Sequence, residues 1–518
     1  MKKKIFYVAL IVSSFCGIAQ EEVLRIKNTL KTSDREIEKT FTIVDYYSDD
    51  LAVFLKDKDF IYAYLYNNKF ELLNTVTSET LAKKYKEFLG TSISNGSYNL
   101  FICNDKYTAF GMISFSFDLQ VTKLVEIDFE YKKESFLQSI SHKNNFYILT
   151  AIENGFNLYT FDSDGKYEKT YFDLSKEKFL SKKNGVSSLN FALSDDRIIR
   201  KTIEVHKIQS SNPNAIELTS ENIKMYVIED DIIISVDNTT SYTQLIKINL
   251  KNHNATVENF EKPFIHAENE YFRSNSFLYD DKLFQLVSTR NELAFSIKDL
   301  QAKTTIKEYR VEKNDSITFK NSPIIQEKGS DKAEDVNSLS LTFGKYRELE
   351  KTKKFLRKIT AQKIGISAYN INGIHQITLG GIRDALNIST LNRMGNNNMF
   401  NNGFNQYEFK ITKGPSNSGF PSAPQVEFIS VNPSFEPITF SYLTYNNTTC
   451  TFINCLFNEN FEHIEGEIQE NVFDKISDFK SDKEKFINAE TIFKYNDSLF
   501  FGSCLGDCKE YTIMKFED

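Results

Sequence analysis

A chain of 518 residues can hold several domains or one repeat array, and its 41% hydrophobic and 26% charged content is that of a globular protein. The net charge of −7 is interspersed along the chain, which argues against a nucleic-acid backbone or an anionic membrane surface as partner. Past residue 19 no apolar run approaches the ~20 residues that a membrane-spanning helix needs.

The chain opens on an export signal. Lys2, Lys3 and Lys4 precede a short apolar run at 5–12, and Gly17 and Ala19 put small residues at −3 and −1 for cleavage before Gln20. Cleavage there removes three lysines and no acid, taking the net charge from −7 to −10. Cys16 offers a lipid-anchored alternative, but Phe15 stands where a lipobox has a small residue, so ordinary cleavage is preferred. The mature chain is expected to be periplasmic or extracellular, monomeric and without a transmembrane segment.

Strands follow. Residues 41–47, 51–55 and 60–66 are apolar or aromatic runs separated by polar turns. Ser78 then reads as the cap of a short helix in which Leu81, Tyr85 and Phe88 share a face and Gly90 closes the last turn. Residues 144–173 form the clearest unit. Three β-rich runs there are broken by Glu153-Asn154-Gly155 and by Asp162-Ser163-Asp164-Gly165, which predicts an antiparallel meander.

Variants of this unit recur. Lys86-Glu87-Phe88-Leu89 is echoed at Lys133–Leu137 and Lys176–Leu180, and more weakly at 261–265, 353–356 and 483–487. The phenylalanines at 88, 136, 179, 264, 355 and 486 are spaced by 48, 43, 85, 91 and 131, near whole multiples of about 44 residues. In this reading the Phe-Leu pair anchors each inter-sheet connection in the core while Lys-Glu stays in water. Asp195-Asp196, Asp230-Asp231 and Asp280-Asp281 fall at hairpins between the strands.

Two stretches break the rhythm. Residues 344–360 are dense in charge and fit a helix or a solvated hairpin, and residues 387–424 form an Asn/Gly/Pro-rich insertion. Toward the C-terminus, strands are expected at 499–503 and 510–516. Pairing the last with a strand at 23–29 would remove an open sheet edge.

Little chemistry shows. Five cysteines follow the signal, and Cys504 and Cys508 flank a hairpin turn where a disulfide is geometrically reasonable. Buried free thiols or a metal site are the alternatives. Cys450 and Cys455 differ by an odd number and face opposite sides of one strand. The six histidines have no HxH or HExxH spacing, and His266, Glu268 and Glu270 read as a solvated strand edge. Asp162, Asp164 and Glu168 resemble a fragment of a calcium loop but read better as a hairpin turn. The serines at 416 and 418 lack the spacing of a nucleophile elbow. With no tryptophan in the chain, glycan stacking falls to tyrosine and phenylalanine. No catalytic, cofactor-binding or metal-binding residue is singled out, and no cofactor is expected.

In its repeat length, strand-turn grammar and Asp-Gly hairpins the chain resembles bacterial extracytoplasmic β-propellers. The resemblance covers about residues 41–380 and, less closely, 425–516. It implies an all-β fold, a β-propeller of seven or eight four-stranded blades closed by N- and C-terminal strands, in one domain over residues 20–518. It brings no catalytic residues. The expected function is therefore a non-catalytic binding or scaffold protein of the cell envelope, holding a protein or glycan ligand on one propeller face. The alternative is a hydrolase or lyase acting on glycan or peptide with carboxylates at the central channel.

Overall fold

The computed structural model describes residues 20–30, 37–78, 84–180, 185–194, 203, 205–263, 272–327, 346–382, 407–408, 411–412, 425–426, 430–432, 434–446, 450–481, 487–506 and 508–517. The export signal with Cys16, the His266-Glu268-Glu270 cluster, Ser416 and Ser418, and nearly all of the 387–424 insertion lie outside these residues. The fold is all-β: the described residues form seven antiparallel-built sheets of four or five strands, with three two-stranded ribbons beside them. No described helix is long and apolar enough to cross a membrane.

Five of the sheets are meanders in chain order. The first runs Lys39–Val44, Leu51–Lys56, Ile61–Tyr66 and Leu72–Thr77. The second runs Glu87–Ser94, Ser97–Cys103, Phe110–Ser116 and Val121–Ile127, and the third Ser135–His142, Asn145–Ile152, Gly155–Phe161 and Tyr167–Asp173. The fourth holds Ile223–Ile228, Asp231–Val236, Tyr242–Asn249 and Ala255–Glu261, with the two residues His206–Lys207 added in parallel alongside Ile223–Ile228. The fifth runs Arg273–Tyr279, Lys282–Ser288, Glu292–Asp299 and Thr305–Glu312. Burial explains the composition of these strands. Leu51–Lys56 and Lys282–Ser288 are covered on both faces; the first reads as a continuous apolar run and the second as one interrupted by the buried Gln285. The last strand of the third meander, Tyr167–Asp173, is mostly exposed and mostly polar.

The sixth sheet departs from chain order: Tyr346–Leu349, Ile324–Glu327, Cys450–Phe457, Ile374–Ile382 and Lys363–Ile371. The seventh is closed by the chain's beginning. Gln20–Lys27 pairs with Glu510–Phe516, which pairs in turn with Ser498–Leu505 and then Ile487–Tyr495.

By contact the chain forms two compact units. One comprises residues 1–81, 115–122 and 470–518, and the other 82–114 and 123–469. The first has its own core, in which Leu24, Ile26, Leu51, Val53, Tyr511 and Ile513 are buried together. In the second, one core gathers Phe284, Phe295, Phe355, Ile366, Leu379 and Ile453 around the fifth and sixth sheets. A second core joins Leu149, Leu158, Met225, Ile234 and Ile246 of the third and fourth.

Three sequence expectations need correction. Phe88 and Gly90 are not helical but lie in the strand Glu87–Ser94, and Gly90 is no cap. A Cβ there would stand 2.5 Å from the Phe146 ring, so the glycine permits close approach. Glu134 of the repeated Lys-Glu pair is not solvated. Its carboxylate accepts from Tyr159 Oη at 2.9 Å, from Lys169 Nζ at 2.8 Å and from the Thr150 hydroxyl. The Phe-Leu motif itself has a more specific role than an anchor. At Phe88/Gly90 and at Phe136/Gln138 the pairing register shifts by one, so Leu89 and Leu137 are the extra residues of two equivalent bulges, both buried. Phe355 sits instead in the helix Thr352–Thr360, where Phe355, Leu356 and Ile359 face inward and Lys353, Lys354 and Arg357 outward. Residues 346–360 thus resolve as a strand and a helix.

Candidate functional site

The described polar side chains of greatest chemical interest belong to the second unit, where the third and fourth sheets meet the segment 432–446. His142 ends the strand Ser135–His142. The two residues after it, Lys143 and Asn144, both have positive φ (45° and 63°), the conformation of a two-residue hairpin whose twist suits the flanking strands. That turn fixes where the imidazole lies. One ring nitrogen donates to the Glu229 backbone, while Nε2 is buried and meets no partner among the described residues. Burial lowers the His142 pKa from its usual value and the Glu229 bond opposes this; the charge of Lys143 lowers it, that of Asp230 raises it, and Lys207 adds the smallest lowering contribution.

Lys207, whose charge is felt at His142, lies on the short parallel strand His206–Lys207, registered on Lys224 and Met225. Its ammonium donates to the Ser434 carbonyl at 3.3 Å. Burial pulls its pKa down to about 8. Around it the chain is pinned by side chains. Gln138 Nε2 donates to Val205 O at 2.7 Å, and its Oε1 accepts from the Ser434 hydroxyl. Asn432 Nδ2 donates to Phe88 O at 3.0 Å, and Phe435 stacks on Phe88 with centroids 5.5 Å apart.

Two carboxylates of the fourth sheet and its approach are engaged. Asp230, in the turn between Ile223–Ile228 and Asp231–Val236, takes Lys143 Nζ at 2.8 Å and Lys251 Nζ at 2.6 Å. Those bonds hold its pKa down to about 2. Glu221 takes Lys363 on both oxygens, at 2.7 and 2.8 Å, and has His206 Nε2 at 3.8 Å.

Deeper in the fourth and fifth sheets lies a fully buried ion cluster. Lys224 Nζ donates to Glu221 O at 2.6 Å and Asn275 Oδ1 at 2.7 Å, and lies 3.3 Å from Asp237 Oδ2. Lys262 Nζ donates to Thr239 O and Ser274 Oγ, both at 2.8 Å, and lies 3.5 Å from Asp237 Oδ1. Asp237 also accepts from Thr243 Oγ1 at 2.8 Å and from the backbone and hydroxyl of Ser276 at 3.0 and 2.6 Å. Burial pushes the Asp237 carboxyl up, but Lys224 and Lys262 outweigh it and leave the pKa below the usual carboxylate range. Burial pulls both lysines down, against the opposing pull of Asp237. With its hydrogen-bonding capacity met by fixed groups, this cluster is built to hold sheets together rather than to meet substrate.

The residues singled out from sequence lie elsewhere. Cys504 and Cys508 are bonded across their turn with Cα atoms 5.0 Å apart, and Cys103, Cys450 and Cys455 are buried thiols. Asp162 Oδ1 accepts from the backbone of Asp164 and Lys166, both at 2.9 Å, and so shapes a turn. No group of three His, Cys, Asp or Glu able to hold a metal occurs among the described residues. Sequence reasoning missed His142 and Lys207 because a parallel pairing and a long return of chain bring them together. For the buried ion cluster a signal did exist, the lone lysine in the otherwise apolar strand Ile223–Ile228, since a charge there demands polar surroundings.

No family model matches the chain, and no curated protein does. Among solved structures it is similar to a mutant of the Synechocystis apocarotenoid oxygenase, with a TM-score of 0.27 and 8% identity over 53% of this chain and 61% of that one. Cobalt-substituted Synechocystis apocarotenoid oxygenase gives a TM-score of 0.23 and 8% identity over 54% and 62%. The chain thus aligns with less than two thirds of either neighbour, and scores of this size transfer neither residues nor reaction. The donor set a metal would need is not found among the described residues. The expectation of a non-catalytic binding or scaffold protein is not kept: the solved structures found are oxygenases, although at these scores they bring no activity to this chain. The enzymatic alternative is carried forward on the chain's own geometry.

Proposed function

We propose that the chain is an exported β-propeller enzyme, a lyase that cleaves a carboxylate-bearing glycan by β-elimination, with His142 as base and Lys207 as the cation that stabilises the developing negative charge. The propeller reading is supported by meander sheets strung in chain order and by the N-terminal strand completing the last sheet. Export is supported by the signal-like residues 1–19.

The observation that carries the chemistry is the His142 imidazole. One nitrogen is occupied by the Glu229 backbone and Nε2 is unpartnered, in the neighbourhood of the Lys207 amine. A neutral imidazole oriented in this way accepts a proton from the carbon beside a carboxylate. The electron pair then forms the double bond as the β carbon–oxygen bond breaks, and the departing oxygen takes back the proton from the His142 imidazolium, restoring the base. An ammonium beside the enolate lowers the barrier to the first step. The carboxylate-pair hydrolase fits less well. It needs a protonated carboxyl as acid, and Asp230 is held anionic by Lys143 and Lys251.

The test is ultraviolet absorbance of unsaturated product from a panel of uronic-acid polysaccharides, using residues 20–518. His142→Ala and Lys207→Met each lower the rate by roughly 100-fold or more while leaving the fold intact. Activity needs neutral His142 and charged Lys207. The pH profile therefore rises through a pKa below the usual histidine value and falls near 8. New reducing ends without unsaturated product would overturn the reading in favour of hydrolysis.

A further inference from the structure

We propose that the Cys504–Cys508 disulfide is a redox-sensitive clasp that fastens the N-terminal strand to the end of the chain. The turn joining Ser498–Leu505 to Glu510–Phe516 is bridged by the bond and carries two left-handed residues, Gly506 (φ 60°) and Cys508 (φ 53°). The left-handed region disfavours a cysteine, so the bridge holds Cys508 in a conformation it would otherwise leave. What that conformation positions is a pair of carbonyls. Cys508 O accepts from Asn28 Nδ2 at 2.8 Å, and Lys509 O accepts from Asn28 N at 2.9 Å.

Asn28 is only 5% exposed, and its Oδ1 in turn accepts from Leu30 N at 3.1 Å. Both bridged cysteines pack in one cluster with Leu24, Ile26 and Leu30 of the N-terminal segment. The strand Gln20–Lys27 therefore ends on groups whose place depends on the disulfide. Reduction by a dithiol consumes two electrons and two protons. A thiolate attacks Cys508, which is 8% exposed against 0% for Cys504, and the Cys504 sulfur leaves and is protonated; the reductant's second thiol then breaks the mixed disulfide, closing the reductant to its own disulfide and releasing the Cys508 sulfur, which takes the second proton. Cys508 then relaxes, its carbonyl turns away from Asn28, and the N-terminal strand loosens.

Hydrogen exchange on the protein from Gln20 to Asp518 tests this with dithiothreitol as the reductant. Amides of residues 20–30 are expected to exchange roughly tenfold faster after reduction, with the pairing of Ser498–Leu505 to Ile487–Tyr495 little changed. Asn28→Ala, with the disulfide intact, gives the same local loosening. Cys504→Ala/Cys508→Ala reproduces it without reductant, and if that variant does not fold, reduction of the folded protein supplies the same reading. Unchanged exchange at 20–30 once alkylation shows both thiols free overturns the proposal. So does protein prepared under oxidising conditions whose intact mass shows no disulfide.

Discussion

Asp237 stands between two buried ammonium groups, and removing its charge leaves both without a counter-ion. Asp237→Asn is expected to destabilise the second unit by about 3–5 kcal/mol, read as a lower urea midpoint. Lys224→Met costs less, because Lys262 still faces Asp237. Lys207 gives a pH signature of its own. Its folded pKa of about 8 lies below the usual lysine value, so the unfolded chain holds the extra proton between about pH 8 and 10. Stability therefore rises with pH across that window, and Lys207→Met removes the rise; urea melts of both proteins at pH 7, 8, 9 and 10 measure it. Beyond the lone lysine of Ile223–Ile228, none of this was legible in the chain. A lysine reads as solvated until the strand carrying it is known to be covered on both sides, and residues 206 and 207 owe their surroundings to partners up to 227 residues away.

The elements were more readable, because turn chemistry is local. The meander over 144–173 follows from Asn154-Gly155 and Asp164-Gly165, and the third sheet places its hairpins there. The recurring Phe-Leu pair was visible as a period, but not as a bulge, which appears only when the neighbouring strand supplies the register. Gly90 misled for the same reason: a glycine after a helical spacing resembles a cap, and only the Phe146 ring shows what it makes room for. Gly90→Ala is expected to overpack that contact and cost about 1–3 kcal/mol, measured by thermal or urea unfolding. Leu137→Ala, which empties a buried bulge position, costs about 2–5 kcal/mol by the same assay. A Gly90→Ala variant as stable as wild type would mean that Phe146 swings aside freely.

At the largest scale, a strand from the start of the chain completes a sheet built at its end. The sequence pointed to this pairing through the edge-strand argument, placing the strand at 23–29 where Gln20–Lys27 is found. The pairing runs from Gln20 opposite Phe516 to Lys27 opposite Glu510, and Arg25, held by Glu22 of its own strand at 2.8 Å, reaches across to Glu510 at 2.9 Å. Exposed ion pairs of this kind add little, so the holding force is the burial of Leu24 and Ile26 against Tyr511 and Ile513. Without residues 20–30, Glu510–Phe516 presents a row of unpaired backbone groups beside uncovered apolar side chains, the arrangement that recruits another chain. A protein beginning at residue 31 is expected to melt lower and to associate at concentrations where the longer protein is monomeric. Light scattering on the two proteins side by side checks this. Lys substituted at Met514, in the strand left at the edge, is then expected to restore the monomer without restoring the melting temperature, because a charge blocks edge pairing but does not replace the lost burial.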